Sequence, residues 1–274
     1  MIRRLAIMQP YLFPYLGYYQ LMAAVDRFML LDDVNFIKRG WVNRNRILVQ
    51  GKEHIFTLPV TAASQNRRIN DLALHEYPRW RSRFFNTLQR AYARSDHFAS
   101  AMDILDYALP QEAESLQEVL GHSLISISRT LGIDTEIICT SQVDPEPQQR
   151  GSERILALCR ENATREYLNL PGAGRDLYDP ADFATAGIRL RFLQPVIQAY
   201  PQQAETFVPR LSLVDIIMNK SIDEIQTLIA AFTLDDGGQA VKGEQNGTGD
   251  SQRPRRSLRH DTGEFQRTLC HAGS

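Results

Sequence analysis

From Leu5 to Arg46 the chain reads LAIMQPYLFPYLGYYQLMAAVDRFMLLDDVNFIKRGWVNRNR, and the order of segments within this stretch decides the fold class. A short apolar run, Leu5–Met8, stops at Gln9-Pro10. A turn rich in proline and aromatic residues follows, then a helical stretch, then a second apolar run, Phe28–Leu31, closed by Asp32 and Asp33. Strands covered on both faces are short and wholly apolar in this way. Strand, helix, strand is the order of a βαβ unit, so the two runs are expected as neighbouring buried strands of a parallel-containing α/β sheet. Gln9 and the aspartate pair would then leave the same edge of the sheet. In open α/β sheets the carboxyl edge is where ligands bind.

A basic and amide cluster lies just past that edge: Lys38, Arg39, Asn43, Arg44, Asn45 and Arg46, interleaved with Trp41. Arginine forks suit phosphate, and asparagine amides suit sugar hydroxyls. Aspartates at a strand end also make ordinary turns and caps. Adjacent strand residues point to opposite faces, so one of Asp32 and Asp33 can enter a shared cleft easily, and its position favours Asp33. If the 41–46 segment is extended, Trp41, Asn43 and Asn45 share one face and Arg44 and Arg46 the other. Only a loop or helix would bring both sets to one small ligand. The expected site is a single polar cleft lined by Gln9, Tyr15, Tyr18, Asp33, Lys38, Arg39, Asn43, Asn45 and Arg46. Arg175, from the glycine-rich Gly172-Ala173-Gly174-Arg175-Asp176, would enter from the opposite side. Asp33, with Asp32 as the alternative, is the expected catalytic carboxylate, and Asp33→Asn is expected to lower turnover with the fold intact.

Beyond this stretch, RILVQGKEHIFTLPV reads as two strands joined by a turn at Gly51. The run Tyr77–Leu109 is helical, with Trp80, Phe84, Phe85, Leu88 and Tyr92 at spacings of three or four. A helix from about Gln111 to Leu131 ends at Gly132, followed by a strand over Ile133–Thr140. Arg150–Glu161 is read as a helix opened by Arg150-Gly151-Ser152-Glu153-Arg154, where Ser152 would be the cap and the N-terminus could equally hold an anion, and Glu166–Leu170 as a strand. PGAGRDLYDPADF is read as a loop, Ile188–Leu193 as a strand, and the stretch from Ser212 as one last helix. Asp215 is read mainly as part of a capping box with Ser212. The whole is expected to be a single α/β domain over residues 1–234, with a helical middle and C-terminal part. From Asp235 to Ser274 polar residues and glycine dominate. Such a segment buries too little surface to offset its ordering entropy, and its removal after Leu234 is expected to move the melting temperature by no more than about 2 °C.

Thirty-one basic against 32 acidic residues give a net charge of −1, which argues against generic electrostatic binding to nucleic acid or to anionic membranes but leaves room for a local basic patch. No apolar stretch approaches the ~20 residues of a membrane-spanning helix. Cys139, Cys159 and Cys270 form no CxxC pair and read as buried thiols, so a cytoplasmic protein is expected. No HExxH or similar histidine pair is present, so no metal site is expected.

At QPYLFPYLGYYQL, DDVNFIKRGWVNRNRI, GSERILALC, GAGRDLYDPADF and FVPRLSLVDIIMN the chain resembles the WbqC-like family, with the motifs in order from the N-terminus to about residue 230. Members typically accompany genes for O-antigen and other surface-polysaccharide synthesis. The resemblance implies an enzyme that attaches glycine or another small acyl group to an amino sugar, with a sugar or nucleotide-sugar as its small-molecule substrate. It carries no catalytic residues across. The N-terminal region is also similar to the HxGH nucleotidyltransferases, with Tyr15-Leu16-Gly17-Tyr18 at the HxGH position and tyrosine in both histidine places. That similarity implies a nucleotidyltransferase-like sheet and, as the alternative function, ATP- and magnesium-dependent nucleotidyl or adenylyl transfer or ligation. Gly17 would let backbone approach phosphate there. A non-catalytic sugar-nucleotide-binding protein is the third reading. An acyl donor or ATP with magnesium is the cofactor class these readings imply.

Overall fold

The computed structural model describes residues 3–236. Its centre is a six-stranded sheet built from β1 (Arg4–Met8), β2 (Arg27–Leu30), β5 (Glu136–Cys139), β6 (Glu166–Asn169), β7 (Arg189–Pro195) and β8 (Phe232–Asp235). The strand order is β5-β2-β1-β6-β7-β8, parallel except for the antiparallel β7–β8 pair. Helix α1 (Leu16–Ala23) connects β1 to β2, and Leu5 to Met8 pair in register with Arg27 to Leu30. The βαβ unit is present as expected. Order reverses at β1, which has the earlier β2 on one side and the later β6 on the other. This is the kind of switch point at which α/β sheets open a crevice.

Alternation along the strands divides the core into two layers. Ala6, Met8, Phe28 and Leu30 face α1, α4 (Leu116–Thr130) and α10 (Ile222–Ala230). Leu5, Ile7, Met29 and Leu31 face α6 (Gly151–Glu161) and α8 (Pro180–Thr185). Each large apolar side chain so buried contributes ~1.5–3 kcal/mol, which is why both faces of these strands are apolar.

A second, two-stranded antiparallel sheet pairs β3 (Arg44–Val49) with β4 (Lys52–Thr57). Its turn, Gln50-Gly51, has φ values of 52° and 73°, the doubly left-handed geometry that matches strand twist. The hairpin is anchored where the Leu48 N–H donates to the Tyr92 hydroxyl at 3.0 Å.

Several elements differ from their sequence reading. The 77–109 run is two helices, α2 (Tyr77–Tyr92) and α3 (Phe98–Ala108), because the polar Arg94-Ser95-Asp96-His97 segment turns the chain. The last helical run is also split, into α9 (Leu213–Asn219) and α10, the latter opened by a reciprocal Ser221–Glu224 capping box. The fragment read as a loop holds α7 (Ala173–Leu177) and α8, which begins where the Asp179 carboxylate accepts from Ala181 N–H at 2.9 Å. A short helix α5 (Thr140–Val143) follows β5 directly. Two residues of the expected tail are among the described ones and are structured. Asp235 ends β8, and Asp236 pairs with Arg189 and Arg191 at 2.6 and 2.7 Å. The remainder of that segment, with Cys270, lies outside the described residues.

Candidate functional site

At the end of β2 the Asp32 N–H donates to the Leu30 carbonyl at 3.0 Å, a tight turn that sends the two aspartates to opposite sides of the sheet. Asp32 is fully buried toward α4. Its carboxylate accepts from the Gln117 amide at 2.6 Å, the Ser141 hydroxyl at 2.6 Å, the Ser141 N–H at 3.0 Å and the Thr140 hydroxyl at 3.2 Å. Asp33 turns toward α6. It forms a bidentate pair with Arg154 at 2.9 and 2.6 Å and accepts from Thr140 at 2.7 Å. Arg154 spends its remaining Nε–H on Asp144 at 3.1 Å. Burial opposes its charge, but the hydrogen bonds and charges of Asp33 and Asp144 outweigh that and raise its pKa. Both carboxylates are engaged by protein donors. Both organise the turn and the start of α6, and Asp33 acts as a positioning residue for Arg154.

Beside this clasp opens a cleft of about 760 Å³ between the β2 exit, the 65–68 loop and the N-terminus of α6. Lys38, Arg68 and Arg150 stand along it, all exposed and without an ion pair among the described residues. Asn35, Asn66 and Gln149 add amides, and Leu31, Ile155, Leu177 and Tyr178 give an apolar wall. Arg150 is the N-cap of α6, with no side-chain cap, and Gly151 follows with φ at +54°. Ser152, read from sequence as the cap, lies inside the first turn and lines the cleft. Uncapped N–H groups at a helix start attract anions. Together with three cations, they make the cleft anion-seeking.

Of the residues expected in one cleft, the structure brings two to this one. Asp33 and Lys38 line it, whereas the other expected residues lie elsewhere. The Asn43 amide donates to the Leu58 carbonyl at 2.7 Å. That of Asn45 donates to Leu12 and Phe13 carbonyls at 3.1 and 2.7 Å, holding Phe13 at a left-handed φ of 45°. Asn45 is buried because β3 is extended and its alternate residues face inward, and Asn43, just before the strand, is buried too. Arg46, on the outer face, pairs with Glu53 at 2.6 Å. Arg39 is exposed with φ at +62° and sits in the loop before the hairpin. Arg175 pairs with Asp235 and lies over the Phe192 ring. Gln9 is buried with its Nε2 unpartnered, and the Tyr18 hydroxyl donates to its carbonyl at 2.8 Å.

The HxGH-like position is closed as well. Tyr18 is wholly buried, and burial drives its hydroxyl pKa far up; burial also raises that of Tyr15. A Cβ on Gly17 would meet the Tyr15 ring at 2.5 Å. The space that a phosphate would need above Gly17 is therefore filled by tyrosine. Cys139, at the end of β5, has its thiol pKa pushed up by burial, with Asp32 adding to the effect against the hydrogen bond from Gln117. A protonated thiol is a weak nucleophile. Asp215 lies outside the cleft. Its carboxylate accepts from Tyr92 and Tyr200 hydroxyls, each at 2.7 Å, and from the Gln202 amide at 3.0 Å. It is a buried hub rather than a cap, since Ser212 caps Val214 N–H by itself.

Sequence reasoning missed Arg68 and Arg154. Arg154 sits in GSERI at the opening of a helix, where an arginine reads as ordinary amphipathic polarity. Its charge is committed only because β2 brings Asp33 beside it.

The sequence profile of the WbqC-like protein family matches residues 9–227, a span that includes every segment lining the cleft. The uncharacterized protein Rv1507c of Mycobacterium tuberculosis is 29% identical over 220 residues, which cover 80% of this chain and 94% of that protein. No solved structure matches the chain.

Proposed function

The chain belongs to the WbqC-like protein family, and from that premise we propose an enzyme of surface-polysaccharide biosynthesis that acylates an amino sugar, with glycine or another small acyl group, while the sugar is held through a nucleotide or phosphate. The observation that supports this reading is the cleft at the β2–α6 edge. Three unpaired cations and a helix start favour phosphate at one end. The amides of Asn35, Asn66 and Gln149 suit sugar hydroxyls, and Tyr178 offers an aromatic wall on which a ring can pack. In this reading Asp33 fixes Arg154 and hence the start of α6, while Lys38, Arg68 and Arg150 bind the anion directly. The family resemblance supplies the reaction class; the cleft supplies the substrate's charge.

Thermal-shift titration against UDP-sugars, dTDP-sugars, acyl-CoA donors and ATP with magnesium tests it, because a ligand that binds only the folded chain raises its melting temperature. A nucleotide-linked amino sugar is expected to give the shift. Arg68→Ala and Arg150→Ala should each weaken that binding by ~1.5–3 kcal/mol, roughly 10- to 150-fold. Arg46→Ala, whose partner is Glu53, should leave it unchanged. Acylation of the bound sugar, followed by mass spectrometry with each donor, then separates an enzyme from a binding protein. Sugar-nucleotide binding that ignores both cleft arginines would move the site elsewhere.

A further inference from the structure

We propose that the exposed face of α2 docks the protein on an anionic phospholipid surface. From Tyr77 to Ser95 the sequence YPRWRSRFFNTLQRAYARS carries five arginines and no aspartate or glutamate, in a chain whose charges otherwise nearly balance. At about 100° per residue, Arg79, Arg83 and Arg90 fall within roughly 40° of arc, along ~17 Å of helix axis, and Arg94 follows in the turn just past the helix end. All four are exposed. Arg83, Arg90 and Arg94 have no ion pair among the described residues. Arg79 meets Glu76 at 3.2 Å, with the two side chains 60% and 53% exposed, a pairing too solvated to neutralise it. Arg81 is turned to the flank, stacked on Phe85 and paired with Asp106.

The chemistry of the stripe favours lipid headgroups over a protein partner. Ser82, Asn86 and Gln89 are the exposed residues between the arginines, and none of the exposed large apolar side chains is on α2. A protein interface needs a desolvated anchor, usually aromatic or aliphatic, which this face lacks. Anionic lipids are laterally mobile and can gather under every guanidinium of a straight row at once. Phe84, Leu88 and Tyr92, on the opposite face of the helix, are buried in the core, so docking is peripheral and nothing inserts. Each basic residue near an anionic surface strengthens binding about fivefold.

Co-sedimentation of the full chain with vesicles decides the matter. Binding is expected to phosphatidylcholine vesicles containing about 30% phosphatidylglycerol, and not to pure phosphatidylcholine. It should weaken steeply as salt shortens the screening length. The triple variant Arg83→Gln, Arg90→Gln, Arg94→Gln should keep its melting temperature, since all three side chains are exposed, and lose partitioning by ~100-fold. Equal binding to neutral vesicles, or none to anionic ones, overturns the proposal. So does undiminished binding by the triple variant, which would assign the contact to the basic residues Arg253, Arg255, Arg256 and Arg259 near the C-terminus. Preference for a duplex oligonucleotide over the vesicles overturns it too.

Discussion

Replacing Arg154 by alanine is expected to lower the melting temperature by roughly 6–20 °C, because removing one partner of a buried pair costs ~3–5 kcal/mol and a chain of this size loses about 2–4 °C per kcal/mol. The Asp33 side chain is 1% exposed and that of Arg154 6%. Without the guanidinium, both Asp33 oxygens lose their charged donors and keep only the Thr140 hydroxyl, and Asp144 loses its bond to Nε. An uncompensated, largely buried carboxylate would remain. The same geometry revises the expectation for Asp33→Asn, which was to spare the fold. An amide there presents an N–H to the guanidinium, so stability should fall before turnover is considered. The paired replacement Asp33→Leu with Arg154→Met should recover much of the loss, because burying no charge avoids the desolvation cost. Urea denaturation of the three variants checks this. An Arg154→Ala chain within about 2 °C of the parent would mean that the clasp carries little of the fold's stability.

Asp215→Ala is expected to cost ~3–5 kcal/mol, since it leaves the Tyr92 and Tyr200 hydroxyls and the Gln202 amide without their shared acceptor. Tyr92 holds the hairpin through Leu48 N–H, and Gln202 closes its own loop through Val208. Loss of this carboxylate therefore loosens α2, the hairpin and the 200–208 loop together. Its titration gives an independent readout. Burial raises the Asp215 pKa, although hydrogen bonds from Tyr200, Tyr92 and Gln202 oppose the rise. The folded chain thus holds this proton to higher pH than the unfolded chain does. The contribution to stability is largest below the ordinary aspartate pKa of about 3.9 and declines as pH rises through the folded value. In Asp215→Asn that decline disappears. Stability of the parent minus that of Asp215→Asn should fall from about pH 4 upward and then level off. A difference that grows with pH would show the carboxylate to be stabilised as an anion instead.

Local pattern made the framework legible. Leu5–Met8 and Phe28–Leu31 are apolar on every residue because helices cover both faces of their sheet, and that signature needs no partner to be read. The Gly51 turn and the Gly132 stop are equally local, each resting on the backbone geometry of a few neighbouring residues. The assignment of roles was not local. Asn43 and Asn45 have the composition of a sugar site, yet their amides are spent on carbonyls up to 33 residues away. Asp33 has the position of a general base, and an arginine 121 residues later neutralises it. Arg68 belongs to a loop without a motif, and Arg150 opens a helix whose start could hold an anion; the two share one cleft only where α6 starts beside the β2 exit. A sequence specifies which side chains can bind phosphate or hydroxyl. Whether those groups face ligand or satisfy buried backbone depends on which distant polar atoms the packed core leaves unpaired, and that was decided by the tertiary structure alone.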